Sequence, residues 1–329
     1  MQNIHAGILG LGTHVPGKRL KNPELEALVE TTDDWIRTRT GINERRIAAR
    51  GEGTSDLAAL AARSALDDAE IGADEIDLIV VATSTPDLLF PPTAALVQRQ
   101  IKAERAAAFD LNGVCAGFLY GMVTGSQFIA SGTYRHVLVI GADVLSRHVD
   151  YSDRNTCILF GDGAGAVVLG PVPSGYGLLD FDLHADGGLA QLAVLPHQRS
   201  PFGVLEDLGV SQSPYIQQDG RAVFKVAVQR MAESAQTVLD RLGLRMEDLA
   251  VLVPHQANGR IMSALAERLG LPSDQVASCI ADLGNTSAAT IPLALSSWRQ
   301  GKGLSRGDLI LFTAFAGGLL WGAGVIRWF

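Results

Sequence analysis

Ala107-Ala108-Phe109-Asp110-Leu111-Asn112-Gly113-Val114-Cys115-Ala116-Gly117-Phe118-Leu119-Tyr120 opens as an apolar, strand-like run and leaves as the start of a helix. Helical spacing continues over residues 117–131, and small residues around Cys115 form the turn. The same alternation extends outward in both directions. Leu78-Ile79-Val80-Val81-Ala82 and Val137-Leu138-Val139-Ile140 read as buried strands, and residues 58–68 and 226–242 as helices. Strands alternating with helices predict an α/β fold with layered, largely parallel pairing. A thiol at such a strand-to-helix turn faces the positive end of a helix dipole, which favours the nucleophilic thiolate. A single cysteine is more often a small buried hydrophobe, so a chemical role for Cys115 has to come from other segments.

The two parts of the chain echo each other. A helical stretch at 54–71 leads to Asp77-Leu78-Ile79-Val80-Val81, and one at 226–244 leads to Asp248-Leu249-Ala250-Val251-Leu252-Val253. Each part then ends in a glycine-laced strand, Phe160-Gly161-Asp162-Gly163-Ala164-Gly165-Ala166-Val167-Val168-Leu169 and Phe315-Ala316-Gly317-Gly318-Leu319-Leu320-Trp321-Gly322-Ala323. Two echoes in the same order indicate an internal duplication, and the junction of duplicated α/β units is a place for a site. Pro171 and Pro173 punctuate the division, which gives an N-terminal half at 1–172 and a C-terminal half at 173–329. Between about His184 and Gly220 the pattern loosens into Gly, Pro, Gln and Ser, the kind of excursion that carries function.

Composition narrows the function. The 329 residues are 47% hydrophobic and 19% charged, as in soluble globular proteins. A net charge of −8 argues against a nucleic-acid binder. Cys115, Cys157 and Cys279 form no CxxC pair, so neither a metal site nor a disulfide framework is expected. Met1-Gln2-Asn3-Ile4-His5 lacks the basic and apolar regions of a signal peptide, and no apolar run reaches the ~18 residues of a membrane span. The expectation is a cytoplasmic protein in a reducing compartment.

Two further segments join Cys115. Pro254-His255-Gln256-Ala257-Asn258 follows an apolar run and enters a helix near Arg260. Gly284-Asn285-Thr286-Ser287-Ala288-Ala289 precedes a helix expected near Pro292. Separately, these read equally well as a locally satisfied histidine and as a turn with a helix cap. Together the three segments supply a thiol, an imidazole and a carboxamide, each at a loop entering a helix.

These motifs resemble the three catalytic motifs of β-ketoacyl-acyl carrier protein synthase III, a condensing enzyme of the thiolase superfamily. Thr32-Asp33-Asp34-Trp35-Ile36-Arg37-Thr38-Arg39-Thr40-Gly41-Ile42, Asp153-Arg154 and Phe160-Gly161-Asp162-Gly163-Ala164-Gly165-Ala166 resemble other stretches of that family, and the similarity runs in order from about Gly7 to Phe329. The resemblance implies a thiolase-like fold: two duplicated α/β halves packed as α-β-α-β-α layers about a pseudo-twofold axis. It implies that Cys115 takes an acyl group from acyl-CoA. Malonyl-acyl carrier protein then loses carbon dioxide, and the enolate condenses with the acyl group to give a β-ketoacyl-acyl carrier protein, the initiating step of type II fatty acid synthesis.

The residue roles follow from the same resemblance. His255 and Asn285 would stabilise the charge that decarboxylation places on the thioester oxygen, with the His255 nitrogen that faces substrate carrying a proton. The backbone amides of Cys115 and Gly317 would form a second oxyanion hole. Trp35, Arg39 and Arg154 would hold the adenine end of CoA, while Gly220, Phe224, Ala227 and Asn258 would line the pantetheine tunnel. Arg260 with Lys225 would offer a basic rim to the acidic carrier protein. Phe90 would reach across a symmetric homodimer to cap the partner's acyl pocket, which Val114 also lines. No metal and no cofactor beyond the acyl-CoA substrate is implied. Val114, Gln218 and Ala316 depart from the family's usual residues and bear on the primer. A second reading is an acyltransferase or condensing enzyme of secondary metabolism, of polyketide or alkylquinolone type, with a different acceptor. Gly7-Ile8-Leu9-Gly10-Leu11-Gly12 and residues 161–165 imitate nucleotide loops. The first has the wrong spacing and the second lacks Lys-Ser/Thr, so packing is the better reading of both.

Overall fold

All residues of the strands Leu78–Ala82 and Val137–Val144 are buried, because the two faces of each strand look into different cores. Leu78, Val80, Val137 and Val139 enter a central core, whereas Ile79, Val81, Leu138 and Ile140 enter an outer one. The second half repeats this: Val251, Val253, Ile310 and Phe312 face the central core, and Leu252, Leu309 and Leu311 face another outer core. Strands covered on both faces are why the sequence shows continuous apolar runs rather than alternation.

The computed structural model describes residues 4–197 and 202–329. Its first large sheet has five strands in the order His5–His14, Asp162–Val172, Val137–Val144, Leu78–Ala82 and Ala107–Leu111. The second has four, in the order Gly177–Ala185, Leu320–Arg327, Leu309–Ala316 and Val251–Pro254. Position by position the two orders agree, including the parallel and antiparallel pairings. A parallel bridge from Val276 to Leu252 stands where the first sheet has its fifth strand. Helices Gly117–Ala130 and Thr290–Gly301 lie between the sheets and contact both. Thr54–Ala69 and Thr93–Ile101 cover one outside, and Gly220–Leu242 with Gly259–Leu269 cover the other. This is the layered, thiolase-like α/β arrangement expected from the sequence.

Some local expectations change. Asp219 caps the N-terminus of Gly220–Leu242 by accepting from the N–H groups of Arg221 and Ala222. That helix therefore begins six residues before the predicted 226. Thr290, not Pro292, opens the last central helix. The run 315–323 is the turn and both flanks of a hairpin, not the single glycine-laced strand that the sequence echo suggested. The loose excursion contains a short strand pair, Ala193–Val194 with Gln217–Gln218, and a helix, Phe202–Leu208. Its residues 198–201, and Met1, Gln2 and Asn3, lie outside the described residues.

Gly10 and Gly12 sit on the first strand against Thr54–Ala69, and a Cβ at Gly12 would collide with the backbone of Ala61 and Ala65. Close strand–helix approach accounts for the glycines that imitate a nucleotide loop. We expect Gly12→Ala to destabilise the fold by about 2–3 kcal/mol, read as a lowered urea midpoint. Gly17→Ala, whose methyl meets nothing within 4 Å, should leave that midpoint within about 0.5 kcal/mol of the parent.

Candidate active site

Cys115 occupies the short turn Val114–Ala116 between Ala107–Leu111 and Gly117–Ala130. In the other half, Ser287–Ala289 leads into Thr290–Gly301. Val114 has φ +47° and Ser287 φ +52°, both in the left-handed region that residues with a Cβ rarely adopt. Asn112 Oδ1 accepts from the Val114 N–H at 3.3 Å, and Asn285 Oδ1 accepts from the Ser287 N–H at 2.9 Å. Residues 112–117 and 285–290 are thus one turn built twice in register, and the two copies pack together. Only Asn and Ala coincide between the two segments, which is why the sequence reading missed this echo.

The Cys115 thiol is pushed up to about 12. Burial is the largest cause and the Asp143 carboxylate adds to it, while the Ser287 side chain and the Cys115 backbone N–H act in the opposite sense. Burial thus acts against the effect expected of the helix end. Ser287 is fully buried, and among the described residues its hydroxyl has no hydrogen-bond partner other than the Cys115 thiol it faces. Asp143 is also fully buried. Its Oδ1 accepts from the Thr83, Ser84 and Thr85 hydroxyls and from the Ser84 and Thr85 N–H groups, and its Oδ2 accepts from the Ala288 N–H at 3.3 Å.

His255 continues the strand pairing beyond Pro254, with its N–H donating to the Thr313 carbonyl at 2.8 Å. The imidazole is buried, and burial alone pushes it down to about 3, so the ring is neutral at physiological pH. Its Nδ1 lies 2.7 Å from the Thr290 hydroxyl. Gln256, also buried, donates to the Pro254 and Ala277 carbonyls and accepts from the Cys279 N–H, which fixes the loop that carries His255. Asn285 is anchored through its backbone, which exchanges hydrogen bonds with Leu159 and Gly161. Its Oδ1 is engaged on Ser287, so the amide nitrogen is the end left to meet a substrate.

Gly317 follows Leu309–Ala316, whose strand contacts the Cys115 turn. A Cβ there would come 2.8 Å from the Ala193 carbonyl oxygen, so that short strand pair backs the turn. Gln218 is the register partner of Ala193, which places this departure directly behind Gly317. Val114 and Ala316 pack with Cys115 in the central core.

The residues expected to bind CoA fall outside this centre. A surface cavity of about 490 Å³ is lined by Arg37, Thr38, Gly41, Phe224, Gly259 and Arg260, among others. Ala227 is buried beneath Phe224 on the same helix, Gly220 is exposed at its start, and Lys225 is exposed beside them without lining the cavity. Asn258 is partly committed elsewhere: its Oδ1 caps Gly259–Leu269 by accepting from the Arg260 N–H at 2.8 Å. Trp35 lies between Arg154 and Arg39, with guanidinium carbons 4.9 and 5.5 Å from the ring centroid. Arg154 therefore occupies the ring contact that an adenine would take, and it also donates to the Glu30 carbonyl. Stacking of a base on Trp35 beside Arg39, as expected from the resemblance, requires Arg154 or Arg39 to leave the ring. Phe90 is 84% exposed, next to the exposed Leu88 and Leu89, well away from any apolar cover. Among the described residues no group of acids, histidines and cysteines has metal-holding geometry, and no helix is long and apolar enough to cross a membrane.

A thiol on one α/β half, with an imidazole and a carboxamide on its duplicate, places the molecule among condensing acyltransferases of thiolase-like fold. Residues 109–187 match the family described as 3-oxoacyl-[acyl-carrier-protein] synthase III, and residues 239–328 match its C-terminal part. A β-ketoacyl-[acyl-carrier-protein] synthase III 1 of Bacillus cereus is 49% identical over 325 residues, 99% of either chain. The solved structure of a 3-oxoacyl-[acyl-carrier-protein] synthase III from Aquifex aeolicus superposes with a TM-score of 0.91 at 44% identity, covering 98% of this chain and all of that one. The priming β-ketosynthase of the R1128 polyketide pathway also gives a TM-score of 0.91, at 34% identity over 99% of this chain and 97% of that one. The chain belongs to the β-ketoacyl-[acyl-carrier-protein] synthase III family.

The neutral His255 has a consequence for stability. Its folded pKa of about 3 lies below the ordinary 6.5, so between these values the unfolded state binds more protons. Its contribution is fully present above 6.5 and is lost as the pH falls. We expect the native protein to lose about 1.4 kcal/mol per pH unit more than His255→Gln below pH 6.5. Urea titrations of both at several pH values measure this, and parallel slopes would refute it.

Proposed function

We propose that Cys115 carries the acyl group of an acyl-CoA primer, and that His255 and Asn285 then promote decarboxylation of malonyl-acyl carrier protein and its condensation with that acyl group. The observation that carries this reading is the paired turn. It sets the thiol-bearing residue of one half, itself half-buried, against the buried segment holding Asn285 and the Thr290 partner of His255. In such a site preorganised donors act strongly on developing charge. The unengaged amide of Asn285 suits the enolate oxygen. The amides of Cys115 and Gly317 suit the tetrahedral oxyanion, and the need for glycine at 317 keeps that backbone close.

The cavity between helices Asp33–Thr40 and Gly259–Leu269 suits the pantetheine arm, with Phe224 as an apolar wall and Arg37 and Arg260 at its mouth. Exposed cations such as Arg260 and Lys225 give an acidic carrier protein a local positive surface on a chain of net charge −8. Trp35, Arg39 and Arg154 form the aromatic and cationic end for the adenine, with Arg154 swinging aside. Strand Ala107–Leu111 is paired on one edge only, and the exposed Leu88, Leu89 and Phe90 lie in the loop before Thr93–Ile101, the helix that precedes it; a homodimer joined along this edge covers both. Such a dimer brings Phe90 to the partner's acyl pocket. The setting is the cytoplasm. Higher identity to the fatty-acid enzymes than to the polyketide priming synthase favours fatty acid initiation over secondary metabolism.

Labelled acetyl-, isobutyryl- and longer acyl-CoA, each with and without malonyl-acyl carrier protein, test the reaction and identify the primer. Absence of any β-ketoacyl product sinks the reading. Cys115→Ala should retain no label. Asn285→Ala should acylate within about threefold of the parent, while condensation falls by about 10²–10³. Equal loss of both steps would mean that Asn285 acts elsewhere.

A further inference from the structure

Arg45, on the short strand Glu44–Ile47, is the largest fully buried side chain among the described residues, and it forms no ion pair there. Burial pushes its guanidinium down to about 10, which leaves it charged at neutral pH. The neighbouring Cys157 and Tyr151 are pushed up, by burial first, to about 11 and about 12, so neither supplies a counter-charge. A buried charge of this kind is weak support for stability, since an apolar side chain of similar volume often does as well. What arginine adds is a rigid fork of donors. Nη1 donates to the Leu20 carbonyl at 3.1 Å and to Asn22 Oδ1 at 2.9 Å, and Nη2 donates to the Ile158 carbonyl at 2.6 Å. The Ile158 bond is the one that reaches the site. The next carbonyl, of Leu159, accepts from the Asn285 N–H at 2.9 Å, and the Gly161 N–H donates to the Asn285 carbonyl at 3.0 Å. The arginine stem lies against the same two segments. A Cβ at Gly161 would come 3.1 Å from the Arg45 Cβ, and one at Gly284 would come 3.2 Å from it. Two residues before Arg45, the Asn43 N–H donates to the Ala281 carbonyl at 2.8 Å, which ties the approach to this strand to the helix just ahead of Asn285.

We propose that Arg45 is a positioning residue for Asn285: by holding the Ile158 carbonyl it fixes residues 158–161, and through their backbone bonds it aims the Asn285 amide at the substrate, which Arg45 itself does not touch. The inference rests on the assignment of Asn285 to the decarboxylative half-reaction. In that step the bond from the malonyl α-carbon to its carboxylate breaks and carbon dioxide leaves. The electron pair passes into the enolate, whose oxygen carries the charge that the Asn285 amide meets. Asn285 Oδ1 is bound to the Ser287 N–H, so the direction of its amide nitrogen follows the backbone at 285. A misplacement of about 1 Å in such a donor costs up to about 10²-fold in rate. Acylation has no such dependence on Arg45, because Cys115 sits on the turn of the other half. The second arm of the fork leads elsewhere. Asn22 passes it on to Asp33 Oδ1 and the Ile42 carbonyl, and Asp33 opens the helix that carries Trp35 and Arg39. Acylation is therefore compared at saturating acyl-CoA, where a change in CoA affinity does not enter.

The test measures two single-turnover rates: acylation by saturating acetyl-CoA, and condensation of the acylated enzyme with malonyl-acyl carrier protein. The proteins are the parent, Arg45→Met, Asn285→Ala and the double variant. Methionine keeps an apolar stem and removes every donor. Arg45→Met should acylate within about threefold of the parent while condensation slows by about 10- to 100-fold. In the Asn285→Ala background the same substitution should change condensation by less than about twofold, because the amide it aims is gone. A merely structural arginine predicts otherwise, with both steps falling together and the losses multiplying in the double variant. Either of those results overturns the proposal, as does condensation within about threefold of the parent in Arg45→Met. Where Arg45→Met does not fold, Arg45→Lys carries the test. It retains the charge but not the fork, so condensation should still fall at least about fivefold further than acylation. Equal losses in the two steps of Arg45→Lys refute the proposal. Equal loss of both steps in Asn285→Ala alone would instead remove the reading of Asn285, and this inference with it.

Discussion

The buried carboxylate of Asp143 is the interaction on which the site depends. It projects from a strand whose eight residues are all buried, and among the described residues it forms no ion pair. Its charge is balanced by converging dipoles: the hydroxyls and amides of Thr83, Ser84 and Thr85 from its own half, and the Ala288 N–H from the other. A buried anion without such donors costs several kcal/mol. The donors therefore cannot drift, and neither can the turns that carry them. One of those turns bears Ser287 and leads into Thr290. Asp143 thus joins the duplicated halves at the point where Cys115 sits, and raises that thiol as a by-product.

Duplication explains why strain is tolerated there. Val114 and Ser287 hold matching left-handed conformations, each at an estimated cost of about 1–3 kcal/mol. In each copy an asparagine carboxamide captures the strained residue's N–H and a helix begins three residues later. The two copies have since diverged in chemistry. One places a thiol at the position that is Ala288 in the other, and the second keeps a buried hydroxyl where the first has Val114. The junction acquires asymmetric function from a symmetric backbone, because only the side chains differ.

The sequence carried the layers, the duplication and the three reactive groups, since strands buried on two faces and helices of regular period leave strong local patterns. It carried less of what governs those groups. The protonation of Cys115 depends on burial contributed by both halves, which no local run encodes. Thr290 and Asp143 act through partners 35 and 58 or more residues away, and a lone Thr or Asp in an apolar stretch gives no signal of that. The buried Arg45 is similar: it donates to the Ile158 and Leu20 carbonyls and to Asn22, and so braces the segment that holds Asn285. The Trp35 motif and Asp153-Arg154 meet at one surface, but the sequence left the contact among Trp35, Arg39 and Arg154 undecided, because rotamers of exposed arginines respond to whatever surface is free.

A resting site made of a thiol and a neutral imidazole contains no ion pair. Burying such a pair would require removing two charges from water, whereas burying the neutral forms avoids that penalty. Charge can then appear only when a substrate supplies an acyl carbon for the sulfur to attack, and it is consumed within the same step. Reactivity is thereby tied to occupancy of the pocket. Val114, Ala316 and the Gln218 strand pair surround the sulfur and the Gly317 turn. On the proposed role of Cys115, they would set how well an acyl chain fills the space, and hence how closely its carbonyl approaches the sulfur. Primer selection and nucleophile activation are on this argument the same event, controlled by packing rather than by a standing thiolate.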